Sequence, residues 1–285
     1  MSEAYAIILR DRGIVEVAGP DAASFLQGLI TNDIAKVDAQ KGIYAALLTP
    51  QGKIIHDALI FATLSGFFLD CVGAHAADLA DRLKKYKLRA KVTISDRSGA
   101  YAVVALPGAD PASHGTADPR LPGLTHRSIL PAGDLESFLR AAGYVLKPES
   151  DYQTHRLALG VPDSALDIPP ETFFPLDCNF EELNGVDFTK GCYVGQELTA
   201  RMKHRATARK RLLPVSADMV LPPAGTALKL DGTEIGELRG VIGTRGMALV
   251  RLDRLGSATQ AIAEGMVVNI GRPAYPLIIA HEEPA

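Results

Sequence analysis

Tryptophan is absent from the 285 residues, and the aromatic supply is small, with 8 Tyr and 9 Phe. Single-stranded nucleic acid is usually bound by stacking bases on such rings, so this scarcity argues against that task. Cysteine is equally scarce. Cys71, Cys178 and Cys192 form an odd set with no C-x-x-C spacing, which excludes a disulfide scaffold and points to a reducing compartment. Charge of one sign is also lacking: 30 Lys and Arg face 33 Asp and Glu, so bulk charge does not make the chain a polyanion binder. No apolar run reaches the ~18 residues needed to span a bilayer. The first residues, Met-Ser-Glu-Ala-Tyr, have neither the basic start and apolar core of a secretory signal nor the Arg and Ser richness of a transit peptide. A soluble intracellular protein is expected.

What is present is an ordinary globular composition, 47% hydrophobic and 22% charged, in a length that suggests about two domains. Strands are expected at 5–9, 13–18, 44–49, 54–63, 66–72, 91–95 and 101–106. Helices are expected after Asp21, with Phe25, Leu26, Leu29 and Ile30 at helical spacing, and over about 74–86. Two more are expected from Asp134 to Gly143 and from Ser150 to Gly160. Residues 107–126 resemble a loop. The irregular order of strands and helices indicates an α+β layer over the first part of the chain. After Arg211 the pattern changes to short β-like segments at 211–216, 226–230, 234–243, 247–252, 266–270 and 275–280, which suggest a small antiparallel barrel or sandwich. The boundary is placed so that residues 1–208 form one domain and 209–285 the other.

The most unusual stretch is Lys190-Gly191-Cys192-Tyr193-Val194-Gly195-Gln196-Glu197. The cysteine lies close to two glycines and a lysine, before a helix expected from about Val194 to Met202. Glycines permit close backbone approach or positive φ. A helix start and Lys190 would both favour the thiolate, the form that attacks electrophiles or binds metal. The competing reading is a small cysteine packed under a turn.

These eight residues are the signature of the YgfZ-type folate-binding proteins, which include the mitochondrial iron–sulfur cluster assembly factors, and the chain resembles that family along most of its length. Phe174-Pro175-Leu176-Asp177-Cys178-Asn179-Phe180 and Asn184-Gly185-Val186-Asp187-Phe188-Thr189-Lys190 look like its approach to the signature. Arg209-Lys210-Arg211-Leu212 looks like the entry to its barrel. Phe25-Leu26-Gln27-Gly28-Leu29-Ile30-Thr31-Asn32-Asp33 and Leu48-Thr49-Pro50-Gln51-Gly52-Lys53 are similar to its first helix and a strand turn. The family is related to the glycine-cleavage aminomethyltransferase, the T protein.

The resemblance implies a folate-binding aminomethyltransferase-like module followed by a β-barrel, with tetrahydrofolate or a derivative in a central cavity, and a role in assembling or repairing [4Fe-4S] proteins. Its partners would be iron–sulfur cluster carriers and client proteins. Cys192 is then the functional thiol, either a transient cluster ligand or a group that meets a folate-borne or oxidised species. No Cys and His cluster at zinc or ferredoxin spacing suggests a permanent metal site. Lys190 would tune Cys192 or bind a carboxylate. Asp57 matches the carboxylate that meets folate in the aminomethyltransferases; the alternative is an edge-strand aspartate facing water. Asn32, Asp177, Asn179, Tyr193, Gln196, Glu197 and Arg201 complete the candidate folate-binding set, although the asparagines and Asp177 also suit turns, and Glu197 the first turn of a helix. The basic run from Arg201 to Arg211 would bind a polyglutamate tail, bind RNA or be a solvated interdomain strand. A tetrahydrofolate-dependent one-carbon transferase is the alternative function.

Overall fold

The computed structural model describes residues 5–107, 115–205 and 209–278. The chain forms two compact units that interleave in sequence. The first takes residues up to Leu48, then Ile55–Tyr152 and Asn184–Val194; the second takes Thr49–Ile54, Gln153–Leu183 and the residues from Gly195 on.

The first unit carries strands β1 (Tyr5–Ile8), β2 (Arg12–Ala18), β3 (Ile43–Leu48), β4 (Ile54–Ala62, entering at Ile55), β5 (Gly66–Val72), β6 (Thr93–Asp96), β7 (Tyr101–Leu106), β8 (Thr116–Ala117), β9 (His126–Pro131) and β10 (Val145–Leu146). They form two five-stranded sheets, one ordered β3-β4-β5-β2-β6 and the other β10-β1-β7-β9-β8. Helices α1 (Ala22–Gln27) and α2 (Ala76–Tyr86) cover the first sheet, and α3 (Leu135–Ala142) packs at the second. The apolar positions of α2 fall at i, i+3, i+4 and i+7, so Ala76, Leu79, Ala80 and Leu83 form one buried stripe. That stripe meets Val15, Val17, Ala58 and Ile60 in the principal core.

α1 is shorter than its spacing suggests. It stops at Gln27, and Ile30 leaves the helix to pair with Leu47 beside β3. Neither Asp21 nor Asp134 caps its helix through its side chain; Asp21 instead accepts the main-chain N–H of Lys91 at 2.7 Å. α3 does end as expected, at Gly143 with φ 68°. The expected loop at 107–126 contains β8, and 108–114 lie outside the described residues.

α4 (Glu149–Leu159) carries the chain from the first unit into the second. There, after α5 (Gln196–His204), strands β11 (Lys210–Ser216), β12 (Ala227–Leu230), β13 (Thr233–Ile242), β14 (Arg245–Arg251), β15 (Gln260–Ala263) and β16 (Met266–Ile270) close into an antiparallel barrel. A short α6 (Leu252–Leu255) joins β14 to β15. Leu213, Val215, Leu228, Leu238, Ala248 and Val250 fill the interior. The sixth strand is β15; residues 275–278 of the expected segment 275–280 form no strand, and 279–280 lie outside the described residues. Pro276 removes a ladder donor from that segment, whereas Glu264 and Gly265, both at positive φ, make the tight turn that pairs β15 with β16. No described helix is long and apolar enough to cross a membrane.

Candidate functional site

The signature cysteine sits on a strap, residues 184–194, laid across the end of α1 within the first unit. Several main-chain and side-chain bonds hold it there. Thr31 Oγ1 donates to Gly185 O at 2.6 Å, and Asn32 Nδ2 donates to Asn184 O at 2.7 Å. Asp187 N donates to Thr31 O at 3.0 Å, and Val194 N donates to Gly28 O at 3.3 Å. Asp187 also shapes the strap locally: its Oδ1 accepts from Thr189 N, Thr189 Oγ1 and Lys190 N, and its Oδ2 pairs with Lys36 Nζ at 2.6 Å. Burial opposes the charge, but these bonds, led by Lys36, hold the Asp187 carboxyl well below the usual carboxylate range.

Lys190 is buried. Its Nζ donates to Gln27 O at 2.8 Å and Ile30 O at 2.6 Å, carbonyls left open where α1 ends. It also stands 4.8 Å from the centre of the Tyr193 ring. Burial pushes this ammonium down to about 8, against the pull of Asp33 and Asp187. Tyr193 is buried as well, whereas Gly191 and Cys192 are exposed. Of the three cysteines, Cys71 and Cys178 are buried and only Cys192 is exposed. Burial pushes the Cys71 thiol up to about 12, so it is inert.

Asp57 does not face water from an edge. It lies on β4, between β3 and β5, and is 7% exposed. Its neighbour His56 projects to the opposite face of the sheet and meets Asp78 of α2 at 2.7 Å. Asp57 Oδ2 accepts the hydroxyl proton of Tyr44 at 2.8 Å, while Oδ1 is buried and has no partner among the described residues. A buried carboxylate oxygen without a donor is costly, and it fits a ligand that brings an N–H. Asn32 connects this strand to the strap. Its amide donates both to Tyr44 O and to Asn184 O, and its Oδ1 accepts from Asp33 N, so its donors serve the protein backbone.

Sequence reasoning missed Tyr44 and the ion cluster of the same unit. Asp70 accepts from Arg12 and Arg127, Asp118 accepts from Arg120 and Arg127, and the Tyr152 hydroxyl accepts from both Arg120 and Arg127. Three guanidiniums thus share two carboxylates. The Arg120 guanidinium also stands 5.8 Å from the Tyr44 ring centre, on the way to Asp57. Its sequence trace is faint, because most of these partners are distant along the chain. The short spacings from Asp118 to Arg120 and Arg127 were the local signs.

The remaining candidates belong to the second unit. Asn179 adopts φ 61° and spends its amide on Leu212 O and the Tyr275 hydroxyl, while its Oδ1 accepts from Leu212 N. It therefore joins the turn at 175–178 to the barrel. Asp177 is buried in that turn, and burial pushes its carboxyl up to about 6 against Lys210 and Arg211. The helix after the signature starts at Gln196, two residues later than expected, because Gly195 takes a left-handed φ of 81°. Glu197 and Arg201 lie exposed on α5, and Gln196 is half-buried at its start. The basic run is partly neutralised: Lys203 pairs with Glu181, Arg211 with Glu182 and Arg209 with Asp253. Residues 206–208 of the run lie outside the described residues. Among the described residues, no group of three or more His, Cys, Asp and Glu is placed to hold a metal ion.

Comparison with known proteins matches two parts of the chain. Residues 10–114 match the GCVT N-terminal domain, and residues 209–275 match the C-terminal β-barrel domain of CAF17. The human mitochondrial iron–sulfur cluster assembly factor IBA57 is 32% identical over 287 residues, covering 87% of this chain and 77% of its own length. The chain belongs to the IBA57 family. The IBA57 homologue of Mycosarcoma maydis is 34% identical over 91% of this chain and 70% of its own length. That of Neurospora crassa is 36% identical over 72% of this chain but only 52% of its own length. All three of these IBA57 relatives are named as mitochondrial. The glycine-cleavage aminomethyltransferase T of Bartonella henselae shares the fold, with TM-score 0.77 and 15% identity over 95% of this chain and 86% of that one.

Proposed function

We propose that this protein is a folate-dependent factor in the assembly or repair of [4Fe-4S] proteins, with Cys192 as its working thiol and Asp57 as an anchor for tetrahydrofolate. Membership of the IBA57 family supports the assembly role. The observation that carries the folate half is the buried, donorless Oδ1 of Asp57 beside the Tyr44 hydroxyl, in a module matched by the GCVT N-terminal domain. A reduced pterin brings ring N–H groups that suit this oxygen, and when bound it supplies a carrier for one-carbon units. The chain's own part is to hold that edge with Asp57, keep the carboxylate oriented through Tyr44, and present Cys192 at the surface. The iron–sulfur cluster is cargo, and the partners are the proteins that deliver and receive it.

The test pairs function with binding. In a strain lacking its own factor, the wild-type chain restores [4Fe-4S] enzyme activity, and Cys192→Ala does not. Full rescue by Cys192→Ala removes the thiol from the mechanism. In calorimetric titration with tetrahydrofolate, Asp57→Asn weakens binding roughly 10- to 100-fold, the worth of a charge-assisted hydrogen bond. Equal binding by both proteins would remove Asp57 as the anchor, and no binding by a folded wild type would remove the folate role. Asp57 also motivates a second reading, a one-carbon transferase. Formation of methylenetetrahydrofolate and ammonia from an aminomethyl-lipoyl carrier protein would establish that reading instead.

A further inference from the structure

We infer that Lys190 is a positioning residue for Cys192, which acts by pinning the strap to the end of α1 and not by lending its charge to the sulfur. The inference rests on the proposed role of Cys192 as the working thiol, but its decisive measurements do not.

Three observations lead to it. First, the ammonium is engaged elsewhere: Nζ donates to Gln27 O and Ile30 O, and stands 4.8 Å from the centre of the Tyr193 ring. An ammonium has three protons to give, and this arrangement occupies two on carbonyls and directs charge at an aromatic face. Second, the two side chains differ in environment: Lys190 is 8% exposed, whereas Cys192 is exposed. Third, the anchors flank a short free stretch. Lys190 is fixed before it, and buried Tyr193 and the Val194 N–H to Gly28 O bond fix it after. Between them a side chain added at Gly191 would meet nothing within 4 Å. Two residues, Gly191 and Cys192, are therefore held out at a set place by pins on either side. A thiol delivered to another macromolecule needs such fixed placement, because small displacements of a reacting group cost large factors in rate.

The experiment uses the full chain and compares Lys190→Met with Lys190→Arg. The methionine keeps the length and apolar stem and removes every donor. The arginine keeps charged donors able to reach carbonyl oxygens. Three quantities are read: hydrogen exchange at the amides of Asp187 and Val194, the rate at which iodoacetamide alkylates Cys192 at pH 7, and rescue of [4Fe-4S] enzyme activity. In Lys190→Met, exchange at both amides rises about tenfold, as expected when a local anchor is lost. Alkylation stays at or above the wild-type rate, and rescue falls. Lys190→Arg restores the slow exchange and the rescue.

Slower alkylation in Lys190→Met with unchanged exchange would overturn the inference and make the lysine an activator of the sulfur. Unchanged exchange with unchanged alkylation would overturn it as well. Should Lys190→Met not fold, Thr31→Val removes the neighbouring pin to Gly185 O and leaves the lysine in place. Lys190→Leu then stands in as the donorless variant, and exchange at the wild-type rate in Lys190→Leu while Thr31→Val raises it would overturn the inference. If the assembly role itself is wrong, rescue is absent from the wild type too, while exchange and alkylation still give their answer.

Discussion

At the scale of single residues, exposure sorts the three cysteines into one accessible and two buried thiols. Native protein should take up about one equivalent of iodoacetamide, mapped by mass spectrometry to Cys192, with Cys71 and Cys178 modified only in denaturant, since burial protects a thiol. Uptake at Cys178 in native protein would show that the turn at 175–178 opens. The Tyr44–Asp57 pair makes a second residue-scale prediction. Tyr44→Phe removes the only donor described at a buried carboxylate whose other oxygen is already bare. Urea unfolding should show a loss on the order of 1–3 kcal/mol, the cost of leaving a buried polar group unmet. Cys192 and Asp57 were both legible as candidates in the sequence, through their neighbours. Tyr44 was not, because its link to Asp57 exists only when strands 13 residues apart lie side by side. Asn32 and Asn179 were legible as residues of interest, but each has a main-chain partner far along the chain, Asn184 O for Asn32 and Leu212 O for Asn179, which no local pattern reveals.

At the scale of elements, side-chain periodicity located most strands and the core face of α2, and it failed where backbone chemistry decides. The segment 275–280 is apolar enough for a strand but carries Pro276, whereas β15 is short and alanine-rich and is paired by its turn. The start of α5 was misplaced by two residues because Gly195 interrupts helical φ there. Glycine also acts at one close approach inside the second unit. Gly240 on β13 lies against Asp167, whose Oδ1 accepts the Gly240 N–H at 2.8 Å and whose Oδ2 holds Arg156 at 2.9 Å. A Cβ at Gly240 would come within 2.4 Å of that Oδ1 and 2.7 Å of Leu166 Cβ. Gly240→Ala should therefore lower the unfolding free energy by about 1–3 kcal/mol, as overpacking does. A thermal midpoint equal to wild type would mean that the Asp167 turn yields without loss.

At the scale of the whole molecule, buried charge sets the response to pH. Asp118 and Asp187 are held ionised by their cationic and hydrogen-bonding partners, so acid that protonates them removes stability. Asp177 works in the other direction. Its folded carboxyl titrates at about 6, above the unfolded value, so between roughly pH 4 and 6 the folded state binds more protons than the unfolded. Its contribution to stability therefore falls as pH rises through that window. The difference between Asp177→Asn and wild type should be small near pH 4 and grow to a gain on the order of 1–3 kcal/mol for the variant by pH 7. A difference that does not change with pH would show that Asp177 keeps its ordinary titration. Chain length suggested about two domains, and composition argued against bulk-charge binding of polyanions. It could not show the ion cluster around Asp70 and Asp118, whose formation requires two sheets to be assembled.

The interleaving of the two units has a consequence for biosynthesis. Chains leave the ribosome from the N-terminus at about 5–20 residues per second, and domains generally fold as they emerge. The first unit cannot be finished in that order. Its two sheets are complete in sequence by Leu146, yet the piece that covers the end of α1 and satisfies Thr31, Asn32 and the open carbonyls of Gln27 and Ile30 arrives only with residues 184–194. A nascent chain paused near residue 160 thus holds both sheets but lacks the strap. Cys192 arrives with the last segment of that unit to be synthesised, so a chain cut short before Asn184 carries neither this thiol nor the strap that seats it.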